Sequence, residues 1–215
     1  RDFCLSRGLG DVYKRQDMYR ANAQRAKAQS RFADYHDYLL SLEMTAEIGD
    51  FSPLYLQRIT QLTNKSNQFN LTTKRYTAEQ MEAVYNSDEY IRLYGKLYDK
   101  FGDNGVVAVT IGKTDSEDKG RLDIELWLMS CRVLKRDMEL AMLDSLVEQA
   151  KKRGIREIYG HYYPTAKNKM VAGLYESFGF EKISQDEEGN TAWRLLVEGY
   201  EDKNTVIKVK EEHYA

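Results

Sequence analysis

Cysteine and proline are both scarce in this chain, whose 215 residues contain two of each. The cysteines, Cys4 and Cys131, lie far apart in unlike contexts, which excludes a disulfide framework and leaves no spacing typical of a structural zinc site. We therefore expect no metal in this chain. The two prolines contrast with sixteen tyrosines, which are scattered without forming a repeat and point to no common function.

Long hydrophobic runs are also missing. No apolar stretch approaches the roughly eighteen residues that span a bilayer, and the N-terminus lacks the apolar stretch of a secretory signal. The formal net charge is only -2, with acidic and basic residues mixed throughout, so no basic face favours nucleic acid. We expect a cytoplasmic protein that binds small molecules or proteins, and no membrane.

The most informative pattern that is present begins with a strand at 121–131. Apolar residues alternate there with mostly polar ones, which is typical of a half-buried strand. The alternation predicts that Glu125 and Cys131 share one face. The opposite face then carries Leu122, Ile124, Leu126 and Leu128.

An amphipathic helix, a short strand and a second helix follow this first strand. The amphipathic helix is predicted from Gly154, which suits a left-handed C-cap, and from an apolar stripe. The stripe consists of Leu143, Leu146, Val147 and Ala150. A buried strand is predicted over 155–159 and a helix over 171–178. In such a unit the backbone amides at the helix start favour an anion, and a pyrophosphate would suit them.

The whole chain divides into four parts. Residues 1–16 lack periodicity and look like translated adapter sequence, so they are excluded from the fold prediction. A linker helix over 17–43 forms an N-terminal extension, residues 44–210 form the domain, and 211–215 form a frayed tail. Within the domain, helices start at Ser52 and Thr77. Strands are predicted at 44–48, 90–99, 105–112, 121–131, 193–197 and 206–209, with the second, third and fourth as an antiparallel meander.

This order of elements resembles the core of the Gcn5-related N-acetyltransferase (GNAT) fold. The resemblance implies an α/β (α+β) domain with a mixed, mostly antiparallel twisted sheet flanked by helices. It also implies that the loop after the strand at 121–131 cradles the coenzyme A pyrophosphate with a Gly-x-Gly turn. That loop, 132–138, has no glycine here, and the carboxylate of Asp137 would repel a diphosphate, which argues against coenzyme A.

Several strings are together similar to the C-terminal half of FkbH-like proteins, subfamily IIIC of the haloacid-dehalogenase (HAD) superfamily. They are MYR at 18–20, LTNKSNQFNLTT at 62–73, FGDNG at 101–105, MSCRVL at 129–134 and YYPTAKN at 162–168. The resemblance covers about residues 17–210 in collinear order. It implies an acyltransferase that loads a glyceryl unit onto an acyl carrier protein in polyketide biosynthesis. The family's upstream HAD-like domain carries an Asp-x-Asp motif that this chain lacks, so we interpret the chain as a fragment.

Three residues are candidates for catalysis. Cys131 lies at the strand end where this fold holds a thioester, and Arg132 beside it favours the thiolate; a buried, inert thiol is the alternative. Glu125 is placed like the general base of acetyltransferases, unless it is a solvent-facing edge carboxylate. Tyr175 matches the family residue that protonates the departing thiolate, with a core tyrosine as the alternative.

Other residues are candidates for binding. Arg132, Val133 and Asn168 are expected to contact the phosphopantetheine arm of a carrier protein or acyl-coenzyme A, because Asn168 matches the family residue that bonds pantetheine; a capping asparagine is the alternative. His161 is a substrate-binding candidate, with a structural histidine as the alternative. Amides of the polar loop are further candidates for substrate hydroxyls, unless they stabilise the loop or brace a neighbouring domain. They are Asn64, Asn67, Gln68 and Asn70.

Three functions are therefore compatible with the sequence. The first is the acetyltransferase-like domain of an FkbH-like carrier-protein loading enzyme that lacks its HAD-like catalytic domain. The second is an autonomous coenzyme-A-dependent N-acetyltransferase, favoured by Glu125, Asn168 and Tyr175 but opposed by the glycine-free loop. The third is a non-catalytic module that docks a carrier protein or an upstream domain.

Overall fold

The structure is a computed structural model in which residues 3–211 are described. Six α-helices and eight β-strands follow one another within this range. The helices are α1 (Phe3–Gln29), α2 (Tyr35–Ser41), α3 (Pro53–Lys65), α4 (Ala78–Tyr85), α5 (Met138–Lys152) and α6 (Leu174–Ser177). The strands are β1 (Thr45–Asp50), β2 (Tyr90–Asp99), β3 (Gly102–Thr114), β4 (Arg121–Met129), β5 (Glu157–Tyr162), β6 (Glu181–Gln185), β7 (Thr191–Leu196) and β8 (Lys208–Glu211).

All eight strands form one sheet in the order β6-β7-β5-β4-β3-β2-β1-β8. Neighbouring strands are antiparallel except for the pairs β4 with β5 and β1 with β8. The predicted mixed, mostly antiparallel sheet and its β2-β3-β4 meander are confirmed. β6 escaped prediction because all five of its residues are exposed, which leaves no apolar alternation to detect.

Helices cover both faces of the sheet. α5 buries its predicted stripe in the larger core, which also receives Leu39 and Leu42 from the region of α2. Gly154 ends this helix region with a φ of 72°, as a left-handed C-cap requires. α3 and α4 pack on the opposite face against a second core. That core includes Ile59, Leu62, Met81, Val84, Leu126 and Leu128.

The caps of α3 and α4 lie where the sequence places them. The Ser52 hydroxyl accepts a hydrogen bond from the amide of Leu54, with Pro53 at the first helical position. Thr77 and Gln80 form a capping box at the start of α4, each side chain accepting from the other's backbone amide. Both helices therefore have locally determined N-termini.

A β-bulge in β4 overturns the predicted alternation of faces. Ile111 of β3 pairs with Leu126 and Gly112 pairs with Ile124, so Glu125 is an extra residue without a partner on β3. Ile124 faces the larger core, whereas Leu126 beyond the bulge faces the second one. The prediction of four leucine and isoleucine side chains on one face is therefore wrong.

Two helical predictions also differ from the structure. The linker helix predicted over 17–43 is two helices, because α1 begins at Phe3, ends at Gln29 and is followed by a break before α2. The helix predicted over 171–178 is a 3-10 turn, Lys169–Val171, followed by the four-residue α6. Most of the predicted tail at 211–215 lies outside the described residues.

Candidate functional site

β4 and β5 are paired only at their starts and then separate. Three parallel pairs join them, of which Asp123 with Tyr159 is the last. β4 continues to Met129 and β5 to Tyr162 without further pairing between them. A crevice beyond the carboxyl ends of parallel strands is the usual ligand position in open α/β sheets. This splay is therefore the first place to look for a site.

The chain's own backbone fills this splay. We call residues 69–72 the inserted segment. The amide of Leu71 donates to the carbonyl of Trp127 at 3.1 Å, and the amide of Met129 donates to the carbonyl of Phe69 at 3.0 Å. Asn70 forms the antiparallel bridge with Leu128 that these two bonds enclose. The inserted segment thus pairs with β4 where a ligand would otherwise lie.

The inserted segment is also bonded on its β5 side. The amide of Tyr163, just after β5, donates to the carbonyl of Leu71 at 2.9 Å. The Thr72 hydroxyl donates to the carbonyl of Glu125 at 2.7 Å, which satisfies the backbone of the bulge. Leu71 itself is fully buried. The inserted segment is therefore bonded both to β4 and to the residue that follows β5.

Asn168 is completely buried and bonds the inserted segment through its side chain. Its amide nitrogen donates to the carbonyls of Asn70 and Tyr163, both at 2.9 Å. Its side-chain oxygen accepts from the amide of Thr165 at 2.7 Å. Asn168 makes no side-chain cap bond to the 3-10 turn that follows it, so the alternative of a capping asparagine is not what the structure shows. Both of its donor bonds go to the protein's own backbone, and the bond to a pantetheine arm stays a prediction.

The predicted amide cluster stabilises the same loop. Asn70 is completely buried; its side chain donates to the carbonyl of Ser66 and accepts from the amide of Thr73. Asn64, although exposed, donates to the carbonyls of Thr60 and Tyr76, which fastens the end of α3 to the loop before α4. These contacts match the loop-stabilising alternative.

The remaining members of the cluster lie nearer the surface. Asn67 accepts from the guanidinium of Arg75, which also donates to the carbonyls of Thr63 and Ser66. Gln68 is exposed. Binding of substrate hydroxyls by this cluster stays a prediction.

The loop between β4 and α5 contains two residues in the left-handed backbone conformation, although neither is a glycine. Lys135 and Asp137 have φ values of 62° and 60°, which cost energy for residues that have a Cβ. The Tyr35 hydroxyl of α2 donates to the carbonyl of Lys135 at 2.5 Å. Burial raises the pKa of Asp137 and of Glu139, the two carboxyl groups at the start of α5. These groups occupy the helix end that an anionic ligand would need.

A buried ion cluster fixes this loop to the rest of the fold. Asp99, whose side chain is fully buried, bonds Arg25 of α1 at 2.7 Å and Arg136 of the loop at 3.1 Å. Arg136 also donates to the carbonyl of Arg132 at 2.8 Å. Val133 is fully buried in the larger core, so its side chain has no access to a cofactor.

Glu125 is neither free nor at a sheet edge. Lys74 lies 2.6 Å from its carboxylate, and the Tyr76 hydroxyl donates to the same oxygen at 3.4 Å. Burial and the neighbouring Glu125 charge raise the pKa of Tyr76. The edge-carboxylate alternative is therefore wrong. The general-base role stays a prediction, and in that role Glu125 would have to release Lys74.

Cys131 lies at the start of a 3-10 turn, Cys131–Val133, just after β4. Its thiol is free and exposed. The shared strand face with Glu125 is therefore wrong, because the bulge and the end of β4 come between them. The buried-thiol alternative is also wrong, which leaves the thiol accessible for the predicted acyl attachment or pantetheine contact.

Tyr175 is a core residue of α6 and does not share a helix with Asn168. It is 1% exposed and packs against Trp127, Phe180 and Trp193. Its hydroxyl approaches the backbone of His161 but makes no hydrogen bond with favourable geometry. Burial raises the pKa of this phenol. The core alternative fits these observations.

His161, on β5, forms a half-buried polar group with two residues of the neighbouring strand β4. Its Nε2 lies 2.9 Å from Oδ1 of Asp123. The two carboxylate oxygens of Asp123 also accept one hydrogen bond each from the guanidinium of Arg121, both at 2.8 Å. Burial opposes ionisation of Asp123, yet the bonds from His161 and Arg121 prevail and lower the pKa of Asp123. Sequence reasoning missed Asp123 and Arg121, although their alternation along β4 places them on one face.

The part of the chain that the structure describes has neither a candidate metal site nor a candidate membrane-spanning helix. Residues 3–211 contain no group of three or more His, Cys, Asp or Glu side chains that could hold a metal ion. Over the same range, no helix combines the length and the apolar character that crossing a membrane would take.

No family model and no curated protein matches the sequence. Solved structures do match the fold. The ribosomal-protein-S18-alanine N-acetyltransferase of Escherichia coli is 14% identical, with a TM-score of 0.53, over 75% of this chain and 99% of that one. A putative acetyltransferase of Salmonella typhimurium, yncA, solved with its cofactor acetyl-CoA, is also 14% identical, with a TM-score of 0.53, over 74% and 96%. The chain has the GNAT fold.

A third GNAT structure agrees with this assignment. The GNAT domain of S. lividans PAT aligns at a TM-score of 0.54 and 14% identity over 69% of this chain and 89% of that one. Identities at this level establish the architecture alone. Within this fold, the inserted segment fills the splay between β4 and β5.

Proposed function

We propose that this GNAT-fold chain is the acetyltransferase-like domain of an FkbH-like acyltransferase, which loads a glyceryl group onto an acyl carrier protein. An upstream HAD-like domain supplies the phosphoryl chemistry. The observation that supports this proposal best is the inserted segment, because Leu71 and Phe69 pair with β4 where this fold holds a thioester. A domain with a closed groove suits a supporting role better than independent turnover.

The other parts of the expected coenzyme A site support the same proposal. The side-chain amide of Asn168 donates both of its hydrogen bonds to backbone carbonyls of the protein itself. Tyr175 is buried away from solvent, so it has no route to a departing thiolate. Asp137 and Glu139 place carboxyl groups where a pyrophosphate would need positive potential. Three separate features thus oppose the usual binding of free acyl-coenzyme A.

Within this proposal, Cys131 receives the acyl group transiently or contacts the carrier's pantetheine arm. The thiol is exposed at the end of β4, and Arg132 follows it directly. A neighbouring guanidinium favours the thiolate, which is the nucleophilic form. An acyl transfer to Cys131 would form a thioester and release the donor's leaving group; transfer onward would regenerate the thiolate.

A loading assay tests the proposal directly. The chain is combined with a separately produced HAD-like domain of an FkbH-like protein, a phosphorylated glyceryl donor and a holo acyl carrier protein. We expect the carrier to gain the mass of a glyceryl group only when this chain is present. Equal loading without the chain would contradict the proposal. The Cys131→Ala variant separates the two roles of this residue. Loading is lost if the acyl group is attached to Cys131, and it is unchanged if Cys131 only helps to dock the pantetheine arm.

An autonomous N-acetyltransferase is the second candidate, and one observation favours it. Asp123, His161 and Glu125 place a histidine and two carboxylates on the face from which an acceptor amine could approach the splay. The assay for this candidate is acetyl transfer from acetyl-coenzyme A to amine acceptors by the chain alone. Turnover that is lost in His161→Gln would favour it over carrier loading.

A further inference from the structure

A concave surface lined by positively charged side chains lies beside Arg132, between α1, α3 and the start of β3. The cavity has a volume of about 620 Å³. Arg58 of α3, Arg132 of the loop and the first part of β3 around Gly105 line it, together with Lys14 and Arg15 of α1. Among the residues whose side chains the structure describes, from Tyr13 to Lys210, the lining contains four cationic side chains and no carboxylate.

The two arginines lack a counter-charge among the described residues. Arg58 donates to the side-chain oxygen of Gln61, a neutral partner, at 2.5 Å. Arg132 contacts the Ser130 hydroxyl at 3.3 Å and the Met18 sulfur at 3.4 Å. Elsewhere in the fold, half-buried arginines such as Arg92 pair with carboxylates. Burial and the nearby Arg132 lower the pKa of Arg58.

Guanidinium groups held without an anion suit a phosphate, whose oxygens accept paired hydrogen bonds. We propose that Arg58 and Arg132 bind the phosphate group of a phosphate ester in this cavity, next to the exposed Cys131. This proposal deepens the carrier-loading function and rests on it for the ligand's source. The phosphate belongs to the carrier's phosphopantetheine arm or to a phosphorylated small-molecule donor. Both sources offer the same chemical group.

Lys14 and Arg15 are not required by this proposal. Both lie within residues 1–16, which the sequence sets apart from the domain. Arg58 and Arg132 come from α3 and from the end of β4, so the domain itself positions them. A variant with Lys14→Gln and Arg15→Gln is therefore expected to keep its affinity for phosphate esters within a few fold.

The test is calorimetric titration of the chain with inorganic phosphate, phosphopantetheine, glycerol phosphate and pantetheine at low ionic strength. We expect the three phosphate-containing probes to bind and pantetheine not to bind. In the Arg58→Gln, Arg132→Gln variant the affinity falls by about tenfold or more, as expected for losing charge-assisted hydrogen bonds. Stronger binding of phosphopantetheine than of glycerol phosphate identifies the carrier arm; the reverse order identifies a small donor.

A matched control removes two arginines elsewhere. Arg20 and Arg31 are exposed and do not line the cavity, so Arg20→Gln with Arg31→Gln changes the net charge equally. Circular dichroism checks that both variants are folded. Equal weakening in the two variants, or binding of pantetheine as tight as that of phosphopantetheine, would overturn the proposal. Phosphate binding without carrier loading would retain the phosphate site and reject the proposed function.

Discussion

Tyr175 carries a buried hydroxyl without a good hydrogen-bond partner. The sequence predicts that this hydroxyl protonates a departing thiolate. Tyr175→Phe removes only that hydroxyl. Because no favourable bond is lost and a costly buried polar atom disappears, the free energy of unfolding should stay equal or rise by up to about 1 kcal/mol. Urea denaturation measures this change. A loss of more than about 1 kcal/mol would show that the hydroxyl is bonded.

Asp123 carries a pH dependence that can be derived from its two partners. Its folded-state pKa lies below the ordinary value of 3.8, so its carboxylate stabilises the fold above that value and loses this effect as pH falls through the folded-state pKa. Denaturation of the wild type and of Asp123→Asn is compared from neutral pH into this acidic range. We expect a constant stability difference near neutrality that shrinks in acid; a difference that is unchanged in acid would contradict it.

At the scale of elements, the inserted segment depends on Asn168 of the turn before α6. Asn168→Ala leaves the carbonyls of Asn70 and Tyr163 unpaired in a buried site, which should lower the free energy of unfolding by about 3 kcal/mol. Gln68→Ala, in the same loop but exposed, should change it by less than about 0.5 kcal/mol. Similar effects of the two substitutions would argue against a locked segment.

The ion cluster ties α1 to the loop before α5. Asp99→Asn leaves Arg25 and Arg136 buried near each other without a counter-charge, which should cost about 3 to 5 kcal/mol of stability. Denaturation with urea measures the loss. Asp103→Asn, at the start of β3, is an exposed control that should cost far less. An Asp99→Asn protein as stable as the wild type would mean that α1 is not anchored.

Elements with local signals could be predicted from the sequence, and those with distant partners could not. Ser52, Thr77 and Gly154 marked helix ends correctly because caps depend on neighbouring residues. The bulge at Glu125 was missed because the apolar alternation continues through it. The inserted segment was missed because its pairing with Trp127 joins positions far apart in the chain.

At the scale of the whole molecule, one loop fills the space between two strands of the GNAT-fold sheet. The inserted segment lies between the separated ends of β4 and β5 and is bonded to β4 and to Tyr163 after β5. The candidate residues then separate into two groups. Asn168 and Tyr175 are buried in the core, whereas Cys131 is exposed and Arg132 and His161 are half-buried, so these three can contact a partner or an external ligand.

Amide hydrogen exchange tests the closed splay most directly. The amides of Leu71, Met129 and Tyr163 donate the bonds that join the inserted segment to the sheet, and bonded, buried amides exchange slowly. The exchange of these three amides is measured with and without saturating acetyl-coenzyme A. We predict slow exchange that the cofactor leaves unchanged. Fast exchange, or a marked change on adding acetyl-coenzyme A, would show that the groove opens to a ligand and would contradict the account.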